Sequence, residues 1–155
     1  MNDREHTHPH MELTERLIGA AMAVHRTMGP GLDEKIYENA MCIELADLQI
    51  GFSQQNQFPA FYKSHFVGKL VTDLIAENKV IIELKVADSI SETHIAQALS
   101  YLAITKLQVA LIFNFRNSSL QFKRVVNNIT FKPEPTETTH LLDHPEDTNA
   151  RDLNP

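Results

Sequence analysis

The sequence is short of several things, and each shortage narrows what the chain can be. Cys42 is its single cysteine, which excludes an internal disulfide and suits a reducing compartment. No run of about 18 apolar residues occurs, so no membrane-spanning helix is expected. The opening MNDREHTHPHMEL lacks the basic-then-apolar order of a secretory signal, and a cytoplasmic location is expected, or a nuclear one in a eukaryotic source. Positive charge is scarce too: 14 Lys and Arg stand against 20 Asp and Glu, for a net charge of −6. That sign is opposite to the usual footprint of a nucleic-acid-binding domain. The imbalance is local, however. From Glu12 to Lys132 there are 12 basic and 12 acidic residues, whereas six acids face one base, Arg151, after Pro133. The charge of the central region therefore permits a polyanionic partner without pointing to one.

What is present fits one soluble domain. The chain has 155 residues, 43% hydrophobic and 22% charged, enough to bury a single core. Residues 1–11 are polar and aperiodic and are expected to form a flexible tail, with His6, His8 and His10 solvated rather than metal-bound. Residues 133–155, rich in Pro, Thr and acids, are expected to form an acidic disordered tail. Between them, Leu13, Leu17, Ala21, Val24 and Met28 recur at helical spacing. Met28-Gly-Pro-Gly31 should end that helix, and a second should run to about Leu48. Its stripes are Ile36, Ala40 and Ile43, with Tyr37, Met41 and Leu45 beside them, and Gly51 is expected to close it. Strands are expected over 58–62, at an edge because of Pro59, and over 66–75 and 80–87. A helix over 92–105 should bury Ile95, Ala98, Leu99 and Leu102. Strands over 109–113 and 120–126 follow. The order is α-α-β-β-β-α-β-β, an α/β fold with a mixed central sheet and helices on both faces, within a domain spanning 12–132.

The chemistry concentrates in VTDLIAENKVIIELK, residues 71–85. Glu77-Asn78-Lys79 is a polar turn in which Asn tolerates positive φ. With Asn78 at the midpoint, Asp73 falls opposite Glu83. Glu83 and Lys85 are two apart, about 7 Å along a strand, and share its face. These charges sit in an otherwise apolar strand, where unpaired burial costs several kcal/mol. Two converging carboxylates could recover that cost by binding Mg²⁺ or Mn²⁺. Lys85 could then orient a water or offset developing negative charge. A plain structural ion pair between Lys85 and Asp73 explains the same spacing.

Upstream, Gly31, Glu34 and Tyr37 lie at the spacing G-x-x-E-x-x-Y. This string, VTDLIAENKVIIELK, HIAQALSYL and NFRNSSLQFKRVVN occur in order, and together they resemble the GxxExxY family, a group of small proteins placed in the PD-(D/E)XK nuclease superfamily. The resemblance covers about residues 12–127. It implies a restriction-endonuclease-like core and a site made of Asp73, Glu83 and Lys85, with Glu34 as a further acidic metal ligand. It also implies an accessory role for Gln97, the glutamine of the following helix. The implied cofactor is Mg²⁺ or Mn²⁺ and the implied partner a nucleic acid, DNA before RNA because the superfamily acts mostly on DNA. A homodimer or larger complex is compatible with so small a chain.

Each helical residue also has a plainer reading. With Gly31 as N-cap, Glu34 would be a third-position capping carboxylate. Tyr37 is expected to pack in support, and Tyr101 to pack. His94 is expected to be solvated or to cap its helix. Lys123 and Arg124 read as a solvated pair, and Gln55, Tyr62 and Lys63 match the family pattern without a derivable role. The leading function is metal-dependent phosphodiester hydrolysis. The alternatives are a catalytically silent interaction or nucleic-acid-binding module of the same fold, and a hydrolase of a small phosphorylated molecule.

Overall fold

The computed structural model describes residues 8–128. His6 and the expected acidic tail lie outside them. The elements run α1 (Met11–Met28), α2 (Glu34–Asp47), β1 (Phe52–Tyr62), β2 (His65–Ala76), β3 (Val80–Lys85), α3 (Glu92–Thr105), β4 (Val109–Asn114) and β5 (Gln121–Val126). This is the order expected from periodicity. The five strands lie side by side in chain order. All neighbours are antiparallel except β3 and β4, which are parallel because α3 carries the chain back across the sheet. Among the described residues no helix is long and apolar enough to cross a membrane.

Alternation along β3 divides the core into two layers. Val80, Ile82 and Leu84 face α1 and α2, where they meet Leu17, Ala21, Val24, Tyr37, Met41 and Leu45. Ile81 faces α3 and packs with Ala98, Leu102, Ala110 and Ile112. Glu83 and Lys85 share the parity of Ile81, so strand geometry directs them to the α3 side. Helices cover both faces, as the apolar β3 and β4 require.

The break between α1 and α2 is held from below. Gly29 and Gly31 have φ of 70° and 96°, a region that glycine enters without a Cβ clash. Tyr37 is fully buried. Its hydroxyl donates to the Gly29 carbonyl at 2.5 Å and accepts from the Leu32 amide at 3.2 Å. Its ring stacks on Phe115 with centroids 4.4 Å apart. Tyr37 thus packs as expected and makes no bond to Glu34; its hydroxyl pins the turn that starts α2.

Several local expectations change. β1 begins at Phe52 rather than 58, because antiparallel pairing to β2 continues as far as Ala76. Pro59 does lie on an edge strand. Helix α2 is capped by Asp33, which puts Glu34 at its first turn's start rather than at the third position from Gly31. The left-handed residue after α2 is Gln49, and the Ile50 amide closes back onto the Leu45 carbonyl, so Gly51 is not the terminator. Ile36 and Ile43 are exposed while Tyr37, Met41 and Leu45 are buried, and Leu99 is also exposed. On α2 two stripes were available and the docking angle selected one.

Replacing Tyr37 by Phe keeps the stack but strands the Gly29 carbonyl and the Leu32 amide. Urea unfolding should show a loss of about 1–3 kcal/mol with the fold retained.

Candidate active site

The turn Ala76–Lys79 sets the geometry of the site. Glu77 and Asn78 both have positive φ, 51° and 55°, and the Lys79 amide donates to the Ala76 carbonyl at 2.9 Å. The ladder then runs Ala76↔Val80, Ile75↔Ile81 and Leu74↔Ile82, which is the expected register. There it stops. One step further Asp73 would face Glu83, and the Leu84 amide donates instead to the Asp73 side chain, Oδ2, at 2.9 Å. The strands thus part at the residues that bear the charges.

Asp73 and Glu83 come together at this split. Glu83 is 4% exposed, and its Oε1 is buried without a hydrogen-bond partner among the described residues. Burial, then the charge of Asp73, drives the Glu83 carboxyl from 4.5 up to about 8, although Lys85 pulls the other way. Burial also raises Asp73; the Leu84 amide and the Lys85 charge oppose that rise, and the charge of Glu38 adds to it. Two acids this close in a low-dielectric site oppose each other's ionisation unless positive charge reaches them.

Lys85 is the nearest source of such charge from the chain itself. Its Nζ donates to Gln97 Oε1 at 3.2 Å, and Gln97 Nε2 donates to the Tyr101 hydroxyl at 3.2 Å. Burial raises the Tyr101 phenol, and Glu83 and Asp73 add to the rise. Tyr101 therefore belongs to the wall of the site rather than to packing alone. Gln97 falls beside Lys85, as expected. His94 forms a capping box with Ser91 and is not turned to the site.

The opposite wall comes from α2. Glu34, Lys35, Glu38, Gln55 and Asp73 line one cleft of about 220 Å³. Glu34 Oε1 accepts from the Val86 amide at 3.2 Å, just past the end of β3. Glu34 thus shares the cleft with Asp73. Among the described residues, though, no three His, Cys, Asp or Glu side chains are grouped so as to hold an ion together. Glu38 was not foreseen. It is 3% exposed, receives Lys35 Nζ at 2.6 Å and Gln55 Nε2 at 2.5 Å, and acts electrostatically on Asp73. The available signal was its position four residues after Glu34, one helical turn along the same face. Gln55 has a left-handed φ of 55°, a conformation that costs a non-glycine residue about 1–2 kcal/mol.

The remaining candidates lie elsewhere. Arg124 is half-buried, and its guanidinium donates to the Pro9 carbonyl at 2.5 Å, so it is not half of a solvated pair. Lys123 is exposed. Tyr62 and Lys63 sit at the β1–β2 hairpin tip with the ammonium 5.5 Å from the ring centre.

The family model of the PD-(D/E)XK nuclease superfamily matches residues 11–125. Among solved structures, the crystal structure of SSO0001 is similar at 14% identity and a TM-score of 0.48. The alignment covers 81% of this chain and 63% of that one, so this chain spans less than two thirds of that structure's length. No protein of curated function matches.

Glu83 holds its proton more tightly folded than unfolded, so its contribution to stability is complete below about pH 4.5 and fades as pH rises through about 8. Without divalent cations, Glu83→Gln should be more stable than wild type at pH 8, on the order of a few kcal/mol. That advantage should vanish near pH 4.5, as read by urea unfolding across pH.

Proposed function

Because the chain belongs to the PD-(D/E)XK nuclease superfamily, we propose that it hydrolyses phosphodiester bonds of a nucleic acid with a divalent cation at Asp73 and Glu83. The string of Gly31, Glu34 and Tyr37 supports placing it in the GxxExxY group of that superfamily. The single observation that carries the proposal is the buried, unpartnered Glu83 Oε1 beside a second carboxyl at a split in the sheet.

The donor set fits Mg²⁺ or Mn²⁺. Carboxylate oxygens are the hard ligands these ions select. Two converging acids whose ionisation burial already opposes gain most from a cation. Asp73 and Glu83 would hold it, with Glu34 as the further acid on the facing wall of the cleft. A bound divalent ion would neutralise the pair, polarise a phosphoryl oxygen and acidify water to a usable nucleophile. The chain's own groups do the remaining work. Lys85, tethered by Gln97, presents an ammonium that orients the attacking water and offsets charge building on phosphorus oxygens. The Leu84 amide fixes the direction of Asp73, and the Val86 amide that of Glu34. DNA is the preferred substrate class, carried from the superfamily, and a homodimer suits so small a chain.

A silent binding module of the same fold is favoured by one observation: Glu34 is engaged with Val86 and is not grouped with both other acids. Metal binding separates the two readings. Calorimetry should find Mn²⁺ bound by wild type and binding lost in Asp73→Ala. Equal, negligible heats from both would favour the module.

Single-stranded, duplex, flap and branched DNA and RNA, incubated with Mg²⁺ or Mn²⁺, should reveal cleavage of at least one class. Glu83→Ala, Asp73→Ala and Lys85→Ala should each lower the rate by about a hundredfold or more. Cleavage that survives in Glu83→Ala would refute the assignment of the site.

A further inference from the structure

Gln55 lines the cleft with Asp73, and its backbone departs from the conformation of the strand that carries it. β1 and β2 pair in one unbroken register on either side, Gln54↔Leu74 and Asn56↔Thr72. That register sets Gln55 opposite Asp73, and this pair alone between them is missing from the ladder. Gln55 is where the chain turns left-handed, and no glycine is there to make that easy. Its side chain leaves the sheet to donate from Nε2 to Glu38 Oε1 at 2.5 Å, and Glu38 is fixed in turn by Lys35 at 2.6 Å. Glu38 is buried on α2, so the anchor is rigid. On the other flank of Asp73 the β2–β3 ladder has also ended, and the Leu84 amide binds the Asp73 carboxylate.

Asp73 is thereby released from both neighbouring strands at one point. We propose that Gln55, anchored to Glu38, is a positioning residue that holds β1 out of register contact with Asp73 and so lets the Asp73 carboxylate capture the Leu84 amide and face the cation-binding position. An aspartate in an intact ladder would have its direction set by the pleat. Here the direction is set by α2 through Glu38 and Gln55. The strain at Gln55 is the local cost of aiming Asp73, which is where such strain is expected to collect. The consequence for cation binding rests on the nuclease reading; the placement of Asp73 does not.

The test therefore reads the two separately, on the full chain. The amide proton shift of Leu84 is followed by NMR in chelator, with Asp73→Ala supplying the value for an amide that has no carboxylate partner. Mn²⁺ affinity is measured by calorimetry on the same variants. Gln55→Ala removes the anchor, and Gln55→Gly removes it while easing the left-handed backbone, so that folding is secured. Both should move the Leu84 shift toward that of Asp73→Ala and weaken Mn²⁺ binding by about tenfold, the scale of a lost outer partner of a ligand. Glu38→Ala should do the same, whereas Glu38→Gln, which keeps an acceptor for Gln55, should leave the Leu84 shift near wild type. A wild-type Leu84 shift in Gln55→Gly would overturn the proposal, because Asp73 would then be placed without the side chain. If wild type binds no Mn²⁺, the metal reading fails, and the Leu84 shift still decides the role of Gln55.

Discussion

Two acidic side chains set against each other inside a sheet are the constraint around which this molecule is arranged. Glu83 is flanked by Ile82 and Leu84 and Asp73 by Thr72 and Leu74, and burial works against the charge of both. An ordinary antiparallel ladder would leave each acid's direction to the pleat and offer neither a backbone donor. The chain resolves this by ending the β2–β3 pairing at Leu74↔Ile82 and giving the Leu84 amide to Asp73. One backbone donor thus moves from sheet to site. Among the described residues Glu83 Oε1 stays buried without a hydrogen-bond partner, as does Thr72 Oγ1 next to Asp73, and a cation at the two carboxyls would partner the former.

Each side of the split is braced by a helix from a different layer. From the α3 face, Gln97 and Tyr101 form a short relay that holds the Lys85 ammonium. From the α2 side, Glu34 reaches the Val86 amide and Glu38 holds Gln55. The start of α2 is itself fixed by Tyr37 through Gly29 and Leu32, so the glycine turn, the buried tyrosine and the acidic first turn form one unit. The spacing G-x-x-E-x-x-Y then has a physical meaning. The glycine allows the turn, the tyrosine locks it, and the glutamate, three residues before the tyrosine, is delivered to the end of β3.

Much of this was legible before folding was considered. Hydrophobic period separated helices from strands, and the turn at Asn78 gave the β2–β3 register, because a tight hairpin leaves few ways to pair. Strand alternation put Glu83 and Lys85 on one face. Gln97 could be placed near them from the motif it resembles. Glu38 is legible only as sharing a helix face with Glu34, and Gln55 only as matching the family pattern, because the bond between them joins residues 17 apart and neither breaks a local pattern. Tyr101 packs against the α3-side core as expected, and only the fold shows that its hydroxyl also meets Gln97.

The amino-acid order alone determined the element sequence, the hairpin register and the shared face of Glu83 and Lys85, because these follow from short-range periodicity and turn chemistry. Family membership was likewise written in strings that can be read in line. Tertiary structure decided which stripe of α2 is buried, that Asp33 rather than Gly31 caps it, and that Glu34 meets Val86 while Glu38 meets Gln55. Those choices depend on how helices dock on a twisted sheet, and docking is settled by packing between residues far apart in sequence.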